Sequence, residues 1–415
     1  MTQGSVTALG RFGTTFSALR YPNYRRWFVG QVLSLMGTWM QSVAQGWLVY
    51  ELTGSKLALG TISFIGSVPT LVFMLPAGAV ADRVSRRKMM LVTQTVMMIC
   101  AFILAFFTGT KSLQVWYIAV LGFILGIAGA FDAPARLALT VELVDDRRDL
   151  QNAIALNSTM FNLARVVGPA IGGLVLAAVG ATWCFVLNGL SFVAVLVALW
   201  GMRLNEAVKP PRTRPMTAEI GDGLHYVWET KIVRALVALV AVTSIFGFSY
   251  SVLMPAYAVD VLGVGEAGLG ALTAAVGGGA LIGSLTVASL TRSRHKGWQL
   301  TFGSLLFPIA LIAFAFSRNL YLSLAILVVV GFGFIIQNTT SNTLVQMIVP
   351  DHLRGRVMSV YSMMFLGTMP FGSLLAGSLA QIYGTSLTII FGAVVTLVFA
   401  LFVVFFIPQV RRLES

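Results

Sequence analysis

Residues 57–88 read LALGTISFIGSVPTLVFMLPAGAVADRVSRRK. Twenty-five residues without an Asp, Glu, Lys or Arg are followed at once by five charges in seven positions. A run of ~20 apolar residues is the length needed to cross the hydrocarbon core as a helix. The charges that close it belong in water or among headgroups. Outward along the chain the same alternation recurs. Windows 27–50, 89–110, 112–131, 166–202, 235–259, 267–291, 297–317, 319–350 and 357–410 are also free of the four charged residue types. Across all 415 residues, 57% are apolar and 10% charged. A soluble domain averages about 25% charged residues, so an ordinary soluble enzyme is excluded. The 41 glycines fit close helix packing in lipid. The class is an all-α polytopic membrane protein. The runs are continuous rather than alternating, which excludes a barrel.

Twelve spans are expected, at 27–49, 57–81, 89–109, 114–136, 153–178, 181–202, 232–258, 267–290, 298–317, 320–345, 357–380 and 385–407. The long windows break at Val179-Gly180-Ala181-Thr182 and at Tyr383-Gly384-Thr385. With both termini cytoplasmic, the outer connectors carry only Lys56, Lys111 and Arg318; apart from the intramembrane Arg165, the other 24 of 28 basic residues are then cytoplasmic. That is a strong positive-inside bias, and it accounts for the formal charge of +13 without nucleic acid. No cleavable signal peptide is expected, because 1–26 holds arginines and no apolar core. Phe12, Phe16 and Leu19 fit an interfacial stretch there.

The organisation is two halves. A cytoplasmic segment 1–26 precedes a six-helix bundle, 27–202. A linker, 203–231, leads to a second bundle, 232–407, and a tail, 408–415. The linker opens with Lys209-Pro210-Pro211-Arg212 and closes with Ile220, Leu224, Val227 and Trp228 at amphipathic helical spacing. Gly168-Pro169-Ala170-Ile171-Gly172-Gly173 has a counterpart in Met369-Pro370-Phe371-Gly372-Ser373 at an offset of 201, which points to duplication. Six spans per half keep both halves in one orientation, with a path between them.

The stretch Gly78-Ala79-Val80-Ala81-Asp82-Arg83-Val84-Ser85-Arg86-Arg87-Lys88 resembles the loop 2–3 signature of the major facilitator superfamily, G-x-x-x-D-R-x-G-R-[RK]-[RK]. Only Ser85 departs, standing for a glycine. The resemblance implies that Gly78 permits close helix approach and that Asp82 faces the N-terminus of helix 11, near Arg354-Gly355-Arg356. Helix-dipole attraction favours an anion there. Arg83, Arg86, Arg87 and Lys88 then pair with nearby acids, Glu142 among them, and the latch holds the cytoplasmic gate. Gly168, Pro169, Gly172 and Gly173 resemble the end of the helix 5 signature of the antiporter branch, although the upstream glycines are replaced; a simple kinked, packed helix is the alternative. The helix 4 signature R-x-x-x-G is absent, with Gly122 in the arginine's place before Gly126.

Longer strings resemble the enterobactin-exporter-like branch. They are Gly46-Trp47-Leu48-Val49-Tyr50-Glu51-Leu52-Thr53-Gly54-Ser55, Phe131-Asp132-Ala133-Pro134-Ala135-Arg136 and Leu353-Arg354-Gly355-Arg356-Val357-Met358-Ser359. This similarity implies proton-driven export across the bacterial inner membrane, with siderophores and drug-like compounds as substrates. The energy source is the proton gradient. No cofactor, nucleotide or metal is expected: Gly277-Gly278-Gly279 lacks the Gly-Lys-Ser/Thr of a phosphate loop, and Cys100, Cys184, His225, His295 and His352 are dispersed. The expected partners are a small-molecule substrate and the lipid bilayer, with the chain a monomer.

Charges at membrane depth are functional candidates. Asp132 and Arg165 are expected to meet between helices 4 and 5, either as a proton-coupling pair or as a permanent structural one. Cavity candidates are Gln31, Gln41 and Gln45 in helix 1, Ser158 and Asn162 on the face of Arg165, Tyr250 in helix 7, Asn338 and Asn342 in helix 10, and Tyr361 in helix 11. Aromatic rings at Trp39, Trp47 and Phe64 would suit an uncharged or amphipathic substrate. An uptake symporter, a receptor or scaffold on the same fold, and an integral-membrane enzyme are competing readings. Sparse cavity charge, short tails and the lack of clustered His or paired acids in the spans weigh against each in turn.

Overall fold

The computed structural model describes residues 17–144, 146–202, 216–290 and 295–411, without the side chains of Leu75, Ala79, Asp82, Arg147 and 216–220. The expected interfacial stretch at Phe12 and Phe16 and the proline-rich part of the linker lie outside the described residues.

Among the described residues, twelve long helices follow the apolar windows. They are α1 (Pro22–Thr53), α2 (Lys56–Arg83), α3 (Arg86–Gly109), α4 (Val115–Glu142), α5 (Arg147–Val179) and α6 (Ala181–Trp200), then α7 (Lys231–Asp260), α8 (Glu266–Ser289), α9 (Lys296–Phe316), α10 (Leu320–Ile348), α11 (Asp351–Tyr383) and α12 (Thr385–Phe406). Eleven of them, all but α1, are long and apolar enough to cross a membrane. At 32 residues α1 is long enough, and Gln31, Gln41 and Gln45 make it more polar. Several helices outrun the expected spans: α5 starts at Arg147 and α4 ends at Glu142. A charge ends an apolar window but not a helix, since backbone hydrogen bonding continues into the headgroup region. A surface helix over Met216–Glu229 packs on the start of α11; of the expected stripe Val227 is buried, while Leu224 and Trp228 are exposed.

Two helices are broken. In α7, a π turn at Thr243–Gly247 gives way to a 3-10 turn at Phe248–Leu253 before Met254–Asp260 resumes. Pro255 supplies no N–H to the turn before it, which the narrower turn accommodates. In α11, Gly367 and Thr368 separate Asp351–Leu366 from Met369–Tyr383, ahead of Pro370.

Helices α1–α6 pack into one bundle and α7–α12 into another. Between them the main contacts are α5 with α8 and α2 with α11. These contacts lie toward one face of the molecule, the far face, where the connectors at 54–55, 180, 265 and 384 turn the chain; the described ends, Ser17 and Arg411, lie at the other, the termini face. The buried cores show the same asymmetry. Near the termini face, one cluster built on Trp27, Met90 and Leu199 and another built on Leu236, Leu344 and Val403 each draw on a single bundle. Toward the far face the clusters are shared: Val43 of α1 joins the second bundle's core and Ala256 of α7 joins the first's. The bundles are therefore joined at the far face and separate at the termini face. Their outward surfaces stay apolar, with Phe106, Trp183, Leu285, Phe316 and Val398 exposed, as a lipid-facing belt requires.

The duplication is visible in the backbone. Gly180 and Gly384 start equivalent helices with φ 86° and ψ 171° against φ 87° and ψ 161°, a region that residues with a Cβ avoid. Equivalent positions are thus 204 apart rather than the 201 read from the Gly-Pro match. Pro169 and Pro370 are one turn out of register, because α11 is interrupted where α5 is not.

Candidate functional site

The seam between the bundles is built from glycine. A Cβ on Gly173 of α5 would lie 2.6 Å from the Cα of Gly270 in α8 and 3.0 Å from the carbonyl oxygen of Glu266. Its equivalent, Gly377 of α11, would meet the Cα of Gly60 in α2 at 2.7 Å and the carbonyl oxygen of Lys56 at 2.8 Å. Lys56 and Glu266 are the first residues of their helices, so the two contacts are copies of each other. Gly168 and Gly172 face the other way, against Met36 and Met40 of α1. The four residues singled out in α5 thus divide between packing within the bundle and packing across the seam.

Polar contacts fasten the far face. Asp260 at the end of α7 accepts from the hydroxyl of Tyr50 at 2.6 Å and pairs with the ammonium of Lys56 at 2.7 Å. Gln381 of α11 accepts, through Oε1, from the backbone N–H of Lys56 at 2.9 Å and of Leu57 at 3.3 Å. These are orphan donors of the first turn of α2. No signal in the sequence marks these four residues as a clasp: Lys56 and Asp260 read as span ends, and Tyr50 and Gln381 as ordinary interface residues.

At the termini face the basic motif is held within the first bundle. Arg86 is buried and pairs with Glu142 at the end of α4. Arg87 donates to the carbonyl oxygens of Leu199 at 2.7 Å and Trp200 at 2.9 Å, where the negative end of the α6 dipole favours a cation. Arg83 and Lys88 are exposed and Gly78 is half-buried. Ser85, the departure from the motif, accepts from the N–H of Lys88 and caps α3. The side chain of Asp82 lies outside the described residues. The start of α11 is engaged elsewhere: Arg356 pairs with Asp222 of the surface helix at 2.7 Å, and Arg354 pairs with Asp351 at 2.5 Å.

The expected meeting of Asp132 with Arg165 does not occur. Asp132 is buried and accepts from Thr93 at 3.0 Å and Gln94 at 2.8 Å, with Arg136 at 3.8 Å. Arg136, one turn along the same helix, and α3 are nearer than the inward face of α5. Arg165 instead stacks its guanidinium over Trp39 of α1, 5.9 Å from the ring centroid. Tyr250, carried by the 3-10 turn of α7, is its electrostatic neighbour from the other bundle. Further along the same face, Asn162 is half-buried and Ser158 exposed, with the Asn162 amide donating to the Ser158 carbonyl at 3.0 Å.

The remaining candidates divide by burial. Gln45, Asn338 and Asn342 are half-buried, and Asn342 accepts from Gln346 at 2.6 Å. Gln41 is buried and accepts from Asn188 of α6 at 2.7 Å. Tyr361 is buried and donates to the Asn338 carbonyl at 3.1 Å. Both bonds stay within one bundle. Gln31 is buried with its Oε1 lacking a partner among the described residues.

Two helical bundles meeting along glycine seams that polar contacts fasten at one face, with an apolar outer belt, have the architecture of a major facilitator-type membrane transporter. The chain belongs to that superfamily's family described as transmembrane secretion effector, whose model matches residues 13–415. It is 30% identical over 391 residues to the multidrug efflux pump Tap of Mycolicibacterium fortuitum, covering 91% of this chain and 94% of that one. It is 25% identical over 365 residues to the enterobactin exporter EntS of Shigella boydii, covering 87% and 86%. Among solved structures, a POT family transporter in complex with 5-aminolevulinic acid shares the fold with a TM-score of 0.74 at 13% identity, over 93% of this chain and 96% of that one.

Proposed function

We propose that this chain exports small amphipathic molecules, siderophore-like or drug-like, across the bacterial cytoplasmic membrane. Export runs by alternating access in exchange for protons, with both termini in the cytoplasm, no cofactor, and the monomer as the working unit. The observation that carries the reading is the asymmetric joining of the bundles. Their cores merge at the far face and stay separate at the termini face, and glycine seams allow rigid bodies to close tightly and part again. Support also comes from the relatives, named as a multidrug efflux pump and an enterobactin exporter. Asp132 is the proposed proton carrier: an acid held by Thr93, Gln94 and Arg136 changes its bonding to α3 whenever it gains a proton.

The test is uptake into inside-out vesicles of a panel of siderophores and antibiotics, with and without an imposed pH gradient. At least one compound should accumulate only in energised vesicles, and Asp132→Asn should remove the dependence on the gradient. Accumulation of every compound irrespective of the gradient would overturn proton exchange. An unchanged response in Asp132→Asn would remove Asp132 from the coupling role.

A further inference from the structure

Arg165 makes no hydrogen bond and no ion pair among the described residues; its contacts are the Trp39 ring and the electrostatic proximity of Tyr250. A guanidinium at the middle of a membrane span is costly unless it is paired or open to water; Arg165 is half-buried, so its five N–H donors remain reachable from the space around it. Around it the chain has built a fixed frame. Gly168 brings Trp39 close, since a Cβ there would lie 2.6 Å from the Cβ of Trp39. Phe161 sets its edge against the indole at 6.1 Å and 74°. Across the seam, Gly277 of α8 runs so near that a Cβ would lie 2.6 Å from the Arg165 carbonyl oxygen. Position 277 thus holds α8 against the backbone of α5 at the level of Arg165. Tyr250 is buried, and its hydroxyl has no hydrogen-bond partner among the described residues.

The acids that might neutralise Arg165 are engaged. Asp132 is held by α3 and Arg136, and Asp260 by Lys56 and Tyr50. Glu266 begins α8 three turns from Gly277, at the far face. What remains to meet these donors is water or an acceptor that is not part of the chain, and a bound anion would displace the water.

We propose that Arg165, Trp39 and Tyr250 form a recognition site for the carboxylate of an amphipathic aromatic or apolar acid, entering from the side on which the bundles are separate. This deepens the export reading and rests on it. The planar fork of arginine matches a carboxylate through two parallel hydrogen bonds. Tyr250 adds a hydroxyl donor from the other bundle. The single positive charge balances a monoanion and repels a cation. Because the groups come from α1, α5 and α7, the acid is gripped by both bundles at once.

The test uses the full chain in nanodiscs of zwitterionic lipid. Equilibrium binding is measured for 2-naphthoate, its primary amide, 2-naphthylmethylammonium and inorganic phosphate. Naphthoate should bind at least tenfold more tightly than the amide, with the ammonium weaker still. Arg165→Gln, with an unchanged melting temperature, should lower naphthoate to the level of the amide. Tyr250→Phe should cost the acid several-fold and the amide little. Should Arg165→Gln not fold, Arg165→Lys keeps the charge without the fork and should reduce the preference for the acid several-fold. Equal binding of acid and amide, no binding of either, or a preference untouched by these substitutions overturns the site. Phosphate competing as well as naphthoate overturns the carboxylate in favour of a general anion. Binding needs no energised membrane, so acid preference without any pumped compound would sink the export reading and leave the site standing, and the converse separates them equally.

Discussion

Asp260 is one carboxylate answering two donors, Tyr50 and Lys56, and both donors belong to the opposite bundle. Its removal therefore acts on the balance between conformations before it acts on folding. The ion pair is partly exposed, so each contact is worth about 0.5–1 kcal/mol. Losing both should shift the equilibrium by roughly five- to twenty-five-fold, by the rule that 1.4 kcal/mol is a factor of ten. In Asp260→Ala, a cysteine placed at Ser373, buried against Gly60 in the α2–α11 seam, should react with an impermeant maleimide correspondingly faster. An unchanged rate would show that the clasp does not hold the seam. Single charges were only half legible. Arg86 and Glu142 meet as the motif implies, because a motif carries its own spacing. Asp132 and Arg165 do not meet, because a charge pattern gives the depth of a residue but not which neighbouring helix it faces.

At the scale of the helix, glycine in this chain serves two purposes, and substitution should tell them apart. Gly173 and Gly377 lie where the bundles touch; Gly279 and Gly331 lie where α8 meets α10 inside the second bundle. A side chain at either place drives backbone apart, at about 1–3 kcal/mol for overpacking. For Gly173→Val and Gly377→Val the molecule can relieve the clash by parting at the far face. Melting temperature should stay near that of the parent while labelling of the cysteine at 373 rises. For Gly279→Val and Gly331→Val no such escape exists, since those helices remain neighbours in every arrangement of the halves. Both should lower the melting temperature by several degrees and reduce the yield of folded protein. Equal melting losses in the two pairs would contradict the assignment of one pair to a moving seam. The helices themselves were readable from charge-free windows and from the turns at Gly180 and Gly384. The break in α7 was not, because a π turn followed by a 3-10 turn reflects how Pro255 and the neighbours of Gly247 are accommodated in the packed bundle. That break is also what carries Tyr250 into the seam.

The molecule is built as two helical bundles joined along two pseudo-symmetric glycine contacts, and the proposed alternating access makes a direct demand on that joint. If closing and opening the far face is an obligatory step, fixing that face shut must stop turnover without blocking entry from the termini side. Ser55 and Gln381 offer the place, with their side-chain oxygens 3.2 Å apart across the bundles. Cysteines at both positions, joined by a short bis-methanethiosulfonate, should lower energised uptake into inside-out vesicles at least tenfold, and a reductant should restore it. In the joined protein a cysteine at Ser158, exposed on the polar face of α5, should still react with an impermeant reagent applied from the termini side. Retained transport with the bridge in place would mean that the bundles need not part at that face. Loss of labelling at 158 would mean that closing one side had sealed the other as well, which two rigid bodies turning about a central site cannot do.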